Sequence, residues 1–344
     1  MNKYFLLVIL SISFNIAKAQ TKPVVIEDSV KNYLDSSLTI IEKNALNSNK
    51  VNWKVLKENV YAKASGAKTY EDILPLYSYI FEQIDDHHGS LNYKNKSYGW
   101  KGNDVRQPNP VIDSATRKYE AIRSQKIGND IGYILIPGNR DFRGRYTDSI
   151  SNVIKLTLAK VQGKDIKGWI VDLRVNTGGN MYPMIAGLSN LLGEGKVGGF
   201  VTYDGKASGS WVVNEGAFYV DSIKASAVSY NGYPIQSDIP VVVLIGRNTA
   251  SSGEMTAITF IGRKNSTLIG EPSAGYTTVN SGFILNDYSG LNLAVDFAAD
   301  RNGTVYPKRL FPNIEVVGGD NFENLENDAK VIQAISFISG SANH

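Results

Sequence analysis

Val241, Val242, Val243, Leu244 and Ile245 form an unbroken apolar run rich in β-branching, and such a run fits a strand buried on both faces. A strand of that kind needs helices to cover it, so the stretch points to an α/β core. Gly246, Asn248 and Thr249 supply turn chemistry directly afterwards, and Glu254, Ala257, Ile258 and Ile261 resume at helical spacing. Ser251 and Ser252 therefore fall in the first turn of a helix. A hydroxyl there is held firmly, and the free N–H groups and positive dipole end of the helix favour negative charge developing beside it. An acyl-transfer nucleophile needs this environment. The same residue types also serve as plain helix caps, and the rest of the chain must decide between the two.

The order of elements supports the α/β reading. Val30, Leu34, Leu38 and Ile41 repeat at helical turns, as do Trp53, Leu56, Val60 and Tyr61, and Thr69-x-x-Asp72 opens a third helix that carries Pro75 and ends at Gly89. Residues 20–90 are thus expected to form a small helical N-terminal domain. Residues 91–130, rich in Asn, Lys, Gly and Pro, read as a connecting loop with one short helix near 115–124. Strands and helices then alternate from 131 to 344: strands at 131–137, 168–173, 199–203, 241–245 and 267–270, helices at 146–161 and 181–192, and β-like runs at 282–285, 291–297 and 304–306.

Residues 1–19 have the layout of a secretory signal, with Lys3, an apolar segment over 5–16 and Ala17-Lys18-Ala19 before Gln20. No other run is apolar enough to span a bilayer. The mature chain is expected in a periplasmic or extracellular space without stable membrane insertion. With Lys3 and Lys18 set aside, 34 basic residues face 33 acidic ones, spread along the chain, so a nucleic-acid partner has no electrostatic basis. The absence of cysteine excludes disulfides, a thiol nucleophile and thiolate metal sites.

Histidine is scarce: His87, His88 and the terminal His344. An imidazole base must therefore come from the turn Asp85–Ser90, far upstream of Ser251. The α/β-hydrolase order of Ser, Asp, His would require His344, and Thr249–Gly253 lacks the first Gly of G-x-S-x-G. Adjacent His87 and His88 lack the i, i+4 spacing of a zinc-binding helix, so no metal is expected. The other constellation is Asp172-Leu173-Arg174-Val175-Asn176-Thr177-Gly178-Gly179. There a buried strand enters a double glycine that can bring bare N–H groups close to a ligand.

In order, D-x-H at Asp86–His88, D-L-R-x-N-x-G-G at Asp172–Gly179, T-A-S-S-G-E at Thr249–Glu254 and G-E-P-S-A-G at Gly270–Gly275 resemble the C-terminal-processing, or tail-specific, serine peptidases. The likeness spans about residues 85–317. It implies a crotonase-like core of the ββα kind, also seen in ClpP, with the serine starting a helix after a central strand. It also implies Ser251 as nucleophile, an oxyanion hole from the N–H of Ser252 with that of Gly178 or Gly179, and Glu254 as a structural residue.

Where the Ser–Lys members carry lysine this chain has Tyr276, and Asn280 replaces a supporting glutamine. The pattern is closer to the branch resembling the tricorn core peptidase, in which an upstream histidine is the base. His88 takes that position, with His87 where that branch has serine. The branch's glutamate has no counterpart near 306–309, which leaves Asp296, Asp300, Asp86 or no carboxylate. The forty-odd residues after Ser90 are too few for an inserted PDZ module, so an extended peptide or protein substrate would add to an exposed strand beside a loop at 270–280.

The resemblance implies an exported serine endopeptidase that needs no cofactor, with activity falling through the imidazole range as His88 protonates. Two rivals share the fold: an inactive, exported peptide-binding protein, and an esterase or amidase for small acyl compounds.

Overall fold

Apolar residues at turn spacing build four N-terminal helices: α1 (Asp28–Asn44), α2 (Trp53–Lys63), α3 (Tyr70–Ile73) and α4 (Leu76–Gln83). The computed structural model describes residues 25–103, 108–161, 163–226 and 238–341. The signal segment and His344 lie outside them. Asp72 caps α3 by accepting the amides of Lys68 and Thr69, each at 2.9 Å. Pro75 divides what the sequence presents as one helix, because it has no N–H and its ring crowds the preceding turn. The α4 turn ends at Asp85, whose φ of 51° reverses the chain, and not at Gly89.

About half of the segment read as a loop lies in strands and a helix. It contains β1 (Ser90–Tyr93), β2 (Lys96–Tyr98), α5 (Pro110–Lys118) and β3 (Arg123–Ile127). The helix starts five residues earlier than expected because Asn109 caps it and Pro110 occupies its first position. Then follow β4 (Ile131–Leu135), α6 (Thr147–Ala159), β5 (Gly168–Asp172), α7 (Met181–Gly187) and α8 (Ser189–Leu192). Next come β6 (Gly195–Val201), β7 (Ala207–Asn214), β8 (Ala217–Val220), β9 (Ile223–Ser226) and β10 (Val241–Ile245). The chain closes with α9 (Ser252–Ile258), β11 (Ser266–Gly270), β12 (Thr278–Asn286), β13 (Ser289–Asp300), β14 (Ile314–Glu315) and α10 (Ala329–Ser341).

Two sheets result. The first runs β14-β11-β10-β5-β4-β3, parallel except for β3. All residues of its inner strands β10, β5 and β4 are buried, in keeping with their unbroken apolar character. One face packs on α7, α9 and the second sheet through Met184, Ile258, Trp211 and Phe218, and the other on α5 and α10 through Ile112, Val331 and Ile338. The second sheet runs β2-β1-β13-β6-β7-β8-β9, with β12 also paired to β13. The N-terminal helices share a core with it, Leu34, Ile41 and Phe81 meeting Leu91 of β1 and Leu291 and Leu293 of β13. No described helix is long and apolar enough to cross a membrane.

Candidate active site

At the end of β10 the chain turns through Gly246 and is stitched to the turn that follows β5. Thr249 donates its hydroxyl to the Leu173 carbonyl at 2.8 Å, and the Ala250 amide donates to the Asn176 carbonyl at 2.9 Å. Ser251 emerges from this junction as the N-cap of α9, with φ 52° and ψ −119°, a left-handed conformation that costs a non-glycine residue energy. Glu254, fully buried, holds it there. One carboxylate oxygen accepts the amides of Ser251 (2.8 Å) and Tyr276 (2.7 Å), and the other accepts the Ser273 hydroxyl and the Gly275 amide (2.8 Å). Burial pushes the Glu254 carboxyl above its ordinary range, against the pull of those four donors.

The double glycine lies against the serine. A Cβ on Gly178 would stand 2.8 Å from Ser251 Cβ, and one on Gly179 would stand 1.9 Å from the Asn139 carbonyl oxygen, so no side chain fits at either position. Both have positive φ, 100° and 119°. The two glycines differ in what their amides do. Gly178 donates to Asn176 Oδ1 at 3.0 Å. The amides of Gly179 and Ser252 donate to no partner among the described residues. Ser252 also fixes the turn through its hydroxyl, which donates to the Gly179 carbonyl at 2.7 Å.

This turn is braced from behind. Arg174, with no solvent exposure, pairs with Asp172 (2.7 Å), with Asp320 (2.8 Å) and with Asp328 just ahead of α10 (2.7 Å), and its guanidinium stacks over the Phe322 ring. Tyr133 donates its hydroxyl to Asp172 at 2.7 Å, and Lys330 pairs with Asp320 at 2.9 Å.

His88 reaches Ser251 across 163 residues of sequence, with Nε2 3.2 Å from the hydroxyl oxygen. Its turn is held by Asp86, which accepts the amides of His88 (3.0 Å), Gly89 (2.6 Å) and Ala294 (3.0 Å). The carboxylate of Asp86 is thus committed to backbone. Asp300 accepts Asn302 N, Thr304 N and the Tyr306 hydroxyl, and Asp296 bonds Ser208, so none of the three candidate carboxylates partners the imidazole. Nδ1 instead meets Thr278 Oγ1 at 2.8 Å, and Asn280 donates its side-chain amide to the His88 carbonyl at 3.0 Å. Both residues belong to β12. Asn280 stands where the resembling family carries a supporting glutamine, whereas nothing in the sequence context of Thr278 distinguishes it from other polar strand residues.

Tyr276 stands edge-on to the His88 ring with centroids 5.1 Å apart, and His87 lies between Tyr276 and Trp100 with Nε2 2.8 Å from the Gly275 carbonyl oxygen. Burial, aided by the charge of His87, lowers His88 to about 4. The ring is therefore neutral well below the ordinary imidazole range. Among the described residues, no group of three or more His, Asp or Glu side chains is arranged to hold a metal ion.

Residues 130–316 match the sequence model of peptidase family S41. The nisin-resistance protein of Lactococcus lactis subsp. lactis is 29% identical over 280 residues, covering 81% of this chain and 80% of that protein. A carboxy-terminal-processing protease of Bartonella bacilliformis is 24% identical over 201 residues, 58% of this chain and 40% of that one. A lipoprotein from Streptococcus agalactiae has the same fold, with a TM-score of 0.68 at 22% identity over 92% of this chain and 98% of its own.

Proposed function

The chain belongs to peptidase family S41, and from that premise we propose that it is an exported serine endopeptidase in which Ser251 is the nucleophile and His88 the general base. The 3.2 Å approach of His88 Nε2 to the Ser251 hydroxyl carries this reading. For Nε2 to accept a proton, Nδ1 must bear one and donate it to Thr278 Oγ1. Ser251 Oγ then bonds to the carbonyl carbon of a peptide while its proton passes to Nε2. The amides of Gly179 and Ser252 take the oxyanion. Collapse of the tetrahedral intermediate breaks the C–N bond, and the imidazolium returns the proton to the leaving amine. Water, relieved of a proton by the same ring, then hydrolyses the acyl-enzyme. Strand β12, hydrogen-bonded to β13 alone among the described strands, leaves an edge beside His88 along which an extended substrate can lie.

The core is read as crotonase-type, because a helix beginning at the nucleophile follows a central parallel strand and faces a glycine turn from the next strand. Reaction of the folded protein with a fluorophosphonate probe, followed by peptide mapping, tests the assignment. Label on Ser251, lost in Ser251→Ala, is expected. Absence of label in folded protein would favour an exported peptide-binding protein, for which the lack of a carboxylate on His88 speaks. Turnover of small esters without turnover of peptides would favour an esterase.

A further inference from the structure

Basic residues are dispersed along most of the sequence, but arginine is dense in one short segment of it. The segment 139–146 between β4 and α6 holds three of the chain's eleven arginines, Arg140, Arg143 and Arg145, with Phe142 and Tyr146 among them. It is firmly pinned. Asn139 donates its amide to the Gly178 carbonyl at 3.0 Å and accepts the Asn180 amide on Oδ1 at 3.0 Å, while its own carbonyl oxygen touches Gly179. Asp141, buried, accepts the amides of Arg145 (2.7 Å) and Tyr146 (3.1 Å) and the Thr147 hydroxyl (3.1 Å), so its charge is turned inward. Asp148, the next acid in the chain, accepts the Ser226 hydroxyl at 3.2 Å.

What the segment shows to solvent is different. All three arginines are exposed, and none pairs with a carboxylate among the described residues. Phe142 is 78% and Tyr146 63% exposed. A loop that only had to be soluble gains nothing from two bare rings, whereas arginine interleaved with aromatics is the composition of recognition surfaces. Arginine in particular matches carboxylates with a two-pronged donor set. Arg140 is covalently next to the residue that touches Gly179.

We infer that this loop binds an acidic stretch of the polypeptide substrate close to the scissile bond, its guanidinium groups taking the carboxylates and its rings the neighbouring apolar side chains. That the bound chain is a substrate, and that its carbonyl enters the glycine turn, rests on the reading of Ser251 given above; a preference for acidic peptide does not. The contact of Asn139 with the glycine turn favours a peptide, since a chain whose carbonyl enters that turn must pass the loop, whereas a lipid surface has no such requirement.

Equilibrium binding to the wild-type protein tests the inference without relying on turnover. Two rhodamine-labelled peptides of equal length are compared by anisotropy, one with several Asp and Glu residues and one with Asn and Gln in their places. The acidic peptide should bind about tenfold more tightly. That preference should vanish in the Arg140→Gln/Arg143→Gln/Arg145→Gln protein and at about 1 M salt, where the Debye length falls to about 3 Å. Single substitutions, on exposed positions that leave the fold alone, should each remove part of it. Equal affinity for the two peptides, a preference that survives the triple substitution, or selective binding of anionic phospholipid vesicles without peptide preference would overturn the inference. If neither peptide is cleaved but the preference holds, the proposed hydrolysis falls and the binding surface stands. Cleavage of both with equal affinity gives the reverse.

Discussion

His88 Nδ1 and Thr278 Oγ1 meet at 2.8 Å, so the imidazole that faces Ser251 is steered by a neutral hydroxyl and not by a carboxylate. A neutral hydrogen bond of this kind is worth about 1 kcal/mol. Thr278→Val should therefore lower kcat about fivefold, and Thr278→Ser should restore it. Thr278→Asp places negative charge on the ring and should move the acid limb of the pH–rate profile upward by about one unit or more. Equal profiles for Thr278→Val and Thr278→Asp would show that position 278 only fills space.

The pH dependence follows from the low basicity of His88. In the proposed reaction only the neutral ring can accept the serine proton, and burial with the nearby charge of His87 lowers its pKa to about 4. kcat/KM should stay level from neutral pH down to the mid-acid range and fall as pH drops through that value. His87→Asn removes the lesser cause, so the limb should rise but remain below the ordinary imidazole pKa. Initial rates across the acid range, checked for reversible inactivation, decide the matter.

Gly179→Ala should abolish fluorophosphonate labelling, because its Cβ would stand 1.9 Å from the Asn139 carbonyl oxygen and the turn would have to open. Gly66, at φ 82° with nothing within 4 Å of its missing Cβ, is the control. Gly66→Ala should cost about 1 kcal/mol of stability from backbone strain alone and leave labelling intact.

Glu254→Gln replaces one acceptor oxygen by an NH2 group that faces two donors. Losing those charge-assisted bonds should cost about 2–3 kcal/mol, visible in thermal unfolding. The tie between Ser251 and the Ser273–Tyr276 loop goes with it. Slower labelling of Ser251 at temperatures where the variant is still folded would separate the positional effect from plain instability.

Arg174→Met leaves the carboxylates of Asp172, Asp320 and Asp328 crowded and buried with only part of their compensation. Breaking a buried network from one side costs about 3–5 kcal/mol. The urea midpoint should shift accordingly, and less so at low pH, where the orphaned carboxylates can take up protons.

The elements legible in advance were those that carry their own signal. The buried run of β10 followed by turn residues declared a strand and the start of a helix without outside help, and the 3.6-residue spacing of Val30, Leu34, Leu38 and Ile41 did the same for α1. Strands β1 and β2 declared nothing, since four or three polar-rich residues become a strand only when β13, some two hundred residues later, offers a partner. The spacing from Ile73 to Ile84 suggests one helix through Pro75, whereas the missing N–H and the ring of Pro75 divide it. Helix α10 was not foreseen, although Val331, Ala334 and Ile338 repeat at helical spacing. At the site, Ser251, His88 and the glycine pair stood out through local motifs. Asn280 was visible only as a departure from the family pattern, and Thr278 reaches His88 through the register of β12 on β13, which no local pattern encodes.

The stretch that matches the peptidase model begins at residue 130, while the imidazole sits at 88, on the turn that leads into β1. A fragment trimmed to the matched span would keep the alcohol and the paired glycines, yet it would carry no base and would strip β13 of a neighbour. In the proposed mechanism the front end is thus a co-owner of the reaction centre, and transplanting the core into another scaffold without it would leave Ser251 without the imidazole that faces it.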